Sequence, residues 1–211
     1  PDSGGFYINK FFAFGHRRLS IIDLSKGGAQ PMVYKNRYVI VYNGEIYNYL
    51  EIKNFLIKKG YNFLSSSDTE VVLAAYDYWK VDCLKKFNGM WALVIYDKLK
   101  DEIFISRDRF GKKPLFYYQS NQSFIFASEA KSLLEHPSVK KELNKNAIKN
   151  YIHKGSRSYR EETFFNNIKS FPSSRYLLVK KKDIFKKIKF LYYWNIKPNL
   201  SKENFCIKKA K

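Results

Sequence analysis

The stretch Val39–Glu45, written VIVYNGE, constrains this chain more than any other. Val39, Ile40, Val41 and Tyr42 form an unbroken apolar and aromatic run, the pattern of a strand buried on both faces. The run reads as stopping at Asn43-Gly44, with the carboxylate of Glu45 next. A strand ending there offers two donors at a fixed place, the Asn43 side-chain amide and the Gly44 backbone N–H. Glycine carries no Cβ, so a ligand can approach that backbone closely. This is the donor set an oxyanion hole needs. Asn-Gly is also the strongest short hairpin signal. The residues alone leave both readings open.

The flanking sequence supplies helices and short strands in blocks. Phe6–Phe14 is aromatic and partly alternating, which predicts one strand. Helical spacing in 47–59 puts Leu50, Ile52, Phe55 and Leu56 on one face, and Gly60 closes it. Ser67, three residues before Glu70, has the capping-box pattern. It opens a helix with Val71, Val72, Ala75, Tyr76 and Trp79 in its stripe. Residues 82–87 predict a short helix. Four short strands follow, at 90–96, 102–106, 114–118 and 123–127, separated by turn residues, and read as an antiparallel meander. Helical turns are expected at 129–134 and a helix at 144–153, with Ala147, Ile148, Tyr151 and Ile152 in its stripe. A last strand pair falls at 175–179 and 188–194, before a polar, lysine-rich tail. Segregated blocks argue for α+β with mainly antiparallel sheets covered by helices.

Composition narrows the class. The 211 residues suffice for one large domain or two small ones, and 18% aromatics build a core easily. No run of 18 apolar residues exists, so no membrane helix is expected. Nothing near Pro1 resembles a signal peptide, and the expected location is cytoplasmic. Cys83 and Cys206 make no disulfide framework and have no metal-ligand spacing, so no metal is expected. A net charge of +20 suggests nucleic acid, but Lys outnumbers Arg about fourfold and is scattered, with one dense run at 180–189. Arginine forks are the usual readers of bases and phosphates. The charge reads as solvated surface, with no specific nucleic-acid partner.

Six strings in order, HRRLSIIDLS, VYNGEIYNYL, SDTEVVLAAY, NGMWALVIYD, SRDRFGKKPLFYY and FASEAKSLL, closely resemble the glutaminase domain of glutamine-dependent asparagine synthetases, class II amidotransferases. The stretch from SFPSSRYLLV to YYWN resembles the family's closing segment, with Pro172-Ser173-Ser174 where a Pro-Pro-Gly-like turn is usual. The resemblance implies an N-terminal-nucleophile fold, a four-layer αββα sandwich. It assigns residues 1–190 to the amidotransferase domain and 191–211 to a linker or the start of a synthetase domain. The implied reaction is glutamine to glutamate plus ammonia. The ammonia would serve ATP- and Mg-dependent conversion of aspartate to asparagine in a C-terminal synthetase domain in cis, and the longer form could be a homodimer. No cofactor is implied in this chain.

The resemblance also implies site roles, and they suit a zwitterion. Arg18 would clamp the glutamine carboxylate through its planar fork. The backbone of Leu19, Ser20, Ile21 and Ile22 would line the same edge. Asp68 and Glu45 would hold the ammonium. Asn43 and the Gly44 N–H would form the oxyanion hole. Arg107-Asp108, with Gly111 and Pro114, reads as a structural turn. The implied nucleophile is an N-terminal cysteine whose α-amine acts as base. No such cysteine is written here, and neither Cys83 nor Cys206 has a free amine. The expectations for the polypeptide as written are therefore glutamine binding without turnover, and an exposed strand edge that compromises the fold. The alternatives are a nucleophile-free binding module and an amidotransferase serving another acceptor.

Overall fold

The computed structural model describes residues 2–19, 22–155, 161–186 and 188–196. Eleven strands and five α-helices are assigned among them. A six-stranded antiparallel sheet is the centre: β3 (Met32–Tyr34), β4 (Tyr38–Ile46), β5 (Gly89–Asp97), β6 (Glu102–Arg107), β10 (Arg175–Lys180) and β11 (Leu191–Tyr192), in the order β11-β10-β6-β5-β4-β3. A second sheet has the order β8-β7-β9, from β7 (Phe116–Gln119), β8 (Phe124–Ala127) and β9 (Lys169–Ser170). The hairpin of β1 (Ser3–Ile8) and β2 (Ala13–Arg18) forms a third.

Alternation along β4 explains the layering. Side chains two apart share a face of a strand. Tyr38, Ile40, Tyr42 and Ile46 pack with α1 (Tyr49–Ile57), α2 (Asp68–Trp79) and α3 (Cys83–Lys86). Val39 and Val41 face the other way, into a core with Phe14, Leu115, Tyr117 and Phe171. The outer face of the small sheet packs Phe116, Tyr118 and Ile125 against Leu133 of α4 (Ala130–Leu133). The order is helices, sheet, sheet, helix, as the resemblance implied.

Several sequence-based expectations are corrected. Phe6–Phe14 is not one strand. The Asn9 carboxamide accepts from the N–H groups of Phe11 and Phe12 at 2.8 and 3.0 Å, and this local turn folds the segment into the β1–β2 hairpin. The four strands after Met90 are not one meander. β5 and β6 stay in the large sheet while β7 and β8 pair in the small one. The capping box is displaced: the Ser67 hydroxyl accepts from Thr69 N–H, while Glu70 takes the N–H groups of Leu64 and Ser65. Leu50 and Phe55 of α1 and Ile152 of α5 (Lys145–Lys154) remain exposed. Their stripes are narrower than the spacing suggested.

The corner between the sheets is held by Arg107 and Asp108. The buried Asp108 carboxylate accepts from the N–H groups of Phe110, Lys112, Lys113 and Trp91. Arg107 donates to the carbonyls of Gly111, Lys113 and Phe171 and to the Ser170 hydroxyl. The structural reading of this pair is therefore the observed one. The Tyr193 hydroxyl donates to the Arg107 carbonyl at 3.0 Å and its ring is buried. The packed unit thus runs past the expected boundary at 190, at least to Tyr193. Cys206 and the tail beyond 196 lie outside the described residues, as does Lys187 of the basic run. No described helix is long and apolar enough to cross a membrane.

Candidate functional site

The strand β4 does not stop at Asn43-Gly44. It continues to Ile46, with Asn43 opposite Ala92 and Gly44 opposite Trp91 on β5. The donor geometry comes from a strand edge instead of a strand end. Residues two apart present their N–H groups to the same edge. The Tyr42 N–H donates to Gln30 Oε1 at 2.7 Å, and the Ile46 N–H donates to Asp68 Oδ2 at 3.0 Å. The Gly44 N–H lies between them on that edge. Glycine is required here because a Cβ would sit 2.4 Å from the Met90 carbonyl oxygen and 2.8 Å from Trp91 Cα.

The carbonyl of Tyr42 is held on the same edge. Gln30 Nε2 donates to it at 3.0 Å and His16 Nε2 at 3.2 Å. A carbonyl only accepts, so the His16 proton sits on Nε2. Burial keeps this imidazole neutral by lowering its pKa. It is held as a structural donor, and its Nδ1 has no hydrogen-bond partner among the described residues.

Arg18 ends β2 and is 8% exposed. Its guanidinium donates to the Ser25 carbonyl at 2.9 Å and to the Asp23 carbonyl. Gly28 lies directly under it, where a Cβ would meet Arg18 Nη2 at 2.2 Å. Asp23 stiffens this loop. Its carboxylate accepts from Ser25 N–H at 2.8 Å and Ser66 N–H at 3.1 Å. The Ser25 hydrogen bonds lead in lowering its pKa to about 2.

Asp68, the first residue of α2, is 5% exposed. Oδ2 accepts from Ile46 N–H and from the Tyr42 hydroxyl, the latter at 2.8 Å. Burial still raises its pKa, and the charge of Glu45 adds to the rise. Two carboxylates facing a common space attract a cation.

Arg18, Leu19, Ile22, Asn43, Gly44, Glu45 and Asp68 line one cavity of about 620 Å³. Seven of the nine expected site residues are therefore brought together. Ser20 and Ile21 lie outside the described residues. Ser128 and Glu129 also line it, with Asn43 Nδ2 3.4 Å from the Ser128 hydroxyl. Sequence reading missed Gln30, Asp23 and Tyr42. Asp23-Leu24-Ser25 carries an Asx-turn signal, but Gln30 and Tyr42 act through pairings that no local pattern announces. Among the described residues no group of His, Cys, Asp and Glu could hold a metal ion.

Comparison with known proteins places the chain in a family. The family model described as a glutamine amidotransferase domain matches residues 1–194. The chain is similar to the glutamine-hydrolysing asparagine synthetase 3 of Bacillus subtilis, 33% identical over 208 residues, covering 97% of this chain and 33% of that protein. It is 44% identical over 153 residues to asparagine synthetase 1 of the same organism, covering 72% of this chain and 24% of the relative. The chain thus spans a third or less of these relatives. Among solved structures, glutamine phosphoribosylpyrophosphate amidotransferase of B. subtilis matches with a TM-score of 0.58 at 19% identity, covering 85% of this chain and 34% of that one. That likeness is one of fold, the N-terminal-nucleophile sandwich described above. With matched residues spanning almost its whole length, the chain belongs to the glutamine amidotransferase domain family.

Proposed function

We propose that this domain binds L-glutamine by both charged ends and sets its side-chain carbonyl on the Gly44 N–H and the Asn43 amide. One observation carries the reading: Arg18, Asp68, Glu45 and Gly44 all line a single cavity. Arg18 keeps N–H donors beyond the two spent on carbonyls, since guanidinium has five. Leu19 and Ile22 line the carboxylate side in this reading.

Hydrolysis needs a thiolate beside that carbonyl. Cys83 is unsuited. It packs on the helix side of the large sheet, and burial pushes its thiol far above the usual range. The proposed nucleophile is a cysteine with a free α-amine, seated over Val41, Ala92 and Val94, which floor the cavity. The flanking strands β2 and β8 each end their sheet there, so the slot suits one further strand. In this proposal the ammonia passes to a further domain that uses ATP and Mg to amidate aspartate; the relatives' names, asparagine synthetase, support only that the ammonia serves asparagine synthesis.

Titration calorimetry tests the binding claim. Arg18→Gln should weaken glutamine about tenfold to a hundredfold, the span of a charged hydrogen-bond pair. Unchanged affinity would remove Arg18 from the site. The 211-residue polypeptide should release no glutamate above background. Turnover abolished by Cys83→Ala would reject that.

Affinity should also fall with acid. Asp68 must be ionised to hold an ammonium, and its pKa is raised above the ordinary 3.8. Binding is therefore complete above that raised value and is lost as pH falls through it. Asp23, held near 2, keeps the Arg18 loop ordered across the same range. Affinity unchanged as pH falls through the ordinary carboxylate value of 3.8 would contradict the assignment of Asp68.

A further inference from the structure

We infer that Gln30 is a positioning residue for the oxyanion hole, its side-chain amide standing in for one rung of the sheet beside Gly44; the inference rests on the glutamine-binding reading above.

Register makes the case. On β3 and β4, Tyr34 faces Tyr38 and Met32 faces Ile40. The next rung in that series would set Gln30 opposite Tyr42. The paired strand β3 begins only at Met32. Backbone pairing therefore stops one rung short of the cavity.

The Gln30 carboxamide takes over. A primary amide carries the same donor and acceptor as a peptide group. Its oxygen accepts from Tyr42 N–H at 2.7 Å, and its nitrogen donates to the Tyr42 carbonyl at 3.0 Å. Both halves of the missing rung are thus made by a side chain that is 8% exposed. The same nitrogen lies 3.4 Å from the Thr69 hydroxyl, beside Asp68 at the start of α2. Gln30 therefore ties the edge of β4 to the helix end that carries a site carboxylate.

The consequence falls on Gly44, two residues along the same edge. Without Gln30, the edge from Ile40 to Ile46 would have no partner for the Tyr42 N–H, and the carbonyl would keep only His16. The Gly44 N–H would then be free to swing. A ligand sensing only the charged ends would be indifferent to this. A ligand placing a carbonyl on Gly44 would lose that hydrogen bond.

The test compares L-glutamine with L-norvaline, which has the same α-carbon groups and chain but no side-chain amide, by calorimetry on the 211-residue chain. The wild-type protein should prefer glutamine by about tenfold, the upper worth of one well-made neutral hydrogen bond. Gln30→Met should cut that preference to below about threefold while norvaline affinity stays within about twofold, because Arg18 keeps its bonds to Ser25 and Asp23, and Asp68 keeps its own to Ile46 and Tyr42. Thr69→Val, a milder loosening of the same amide, should lower the preference by about twofold and covers the case in which Gln30→Met does not fold. Full preference retained in either folded variant would overturn the inference, as would equal loss for both ligands. A wild-type chain that binds neither ligand would instead refute the glutamine reading itself, and this inference with it.

Discussion

Asp108→Ala should be strongly damaging, lowering stability by about 3–5 kcal/mol. Four backbone N–H groups converge on this one carboxylate, at 2.9–3.3 Å. Alanine leaves them buried or half-buried without an acceptor. Each orphaned donor costs about 1–3 kcal/mol, and part of the loop can recover through water. The corner also joins the two sheets, since Arg107 beside it reaches Ser170 and Phe171 at the end of the small one. Thermal denaturation should show a midpoint lower by roughly 10 °C, at a few degrees per kcal/mol for a domain of this size. Asp108→Asn keeps one acceptor oxygen and should fall between. A shift below 2 °C for Asp108→Ala would mean that the corner is not a structural keystone.

Gly44→Ala should separate stability from binding. The new methyl would meet the Met90 carbonyl oxygen at 2.4 Å and Trp91 Cα at 2.8 Å, both backbone atoms of the paired strand. Neither can move without parting the β4–β5 ladder. Overpacking of this kind costs about 1–3 kcal/mol. The strand has to shift away, and the Gly44 N–H moves with it, so glutamine affinity should drop more than tenfold, the effect of a misaimed donor. Gly60→Ala is the control. Gly60 has φ +86 but nothing within 4 Å of its would-be Cβ, so alanine there costs about 1 kcal/mol of backbone strain and leaves binding alone. Equal glutamine affinity in wild type and folded Gly44→Ala would remove Gly44 from the oxyanion hole.

Much of this architecture was legible from residue order. The VIVY run does lie between two layers, and the six strings mark the elements that bring Arg18, Asn43, Gly44, Glu45 and Asp68 to one cavity. What stayed hidden was partly long-range and partly local. Asn43-Gly44 has the letters of a hairpin, yet β5 pairs across it and keeps it extended. The Phe6–Phe14 stretch looked continuous because its turn is made by one asparagine among aromatics. Ser67 and Glu70 have capping-box spacing, but Glu70 bonds the preceding loop instead. Gln30 is silent in sequence, since its partner is a backbone unit 12 residues away on another strand. Local chemistry names the candidates, and tertiary pairing decides which atoms they serve.

The two carbonyl bonds of Arg18 also affect the entropy of capture. A free arginine side chain on a surface gives up roughly 2 kcal/mol of rotational freedom when it is immobilised. Here folding has already imposed that loss, because Ser25 and Asp23 hold the guanidinium over Gly28 before any solute arrives. An amino acid bound as proposed would meet a rigid receptor on this side, and its attraction to the fork would go into residence time with little spent on ordering the protein.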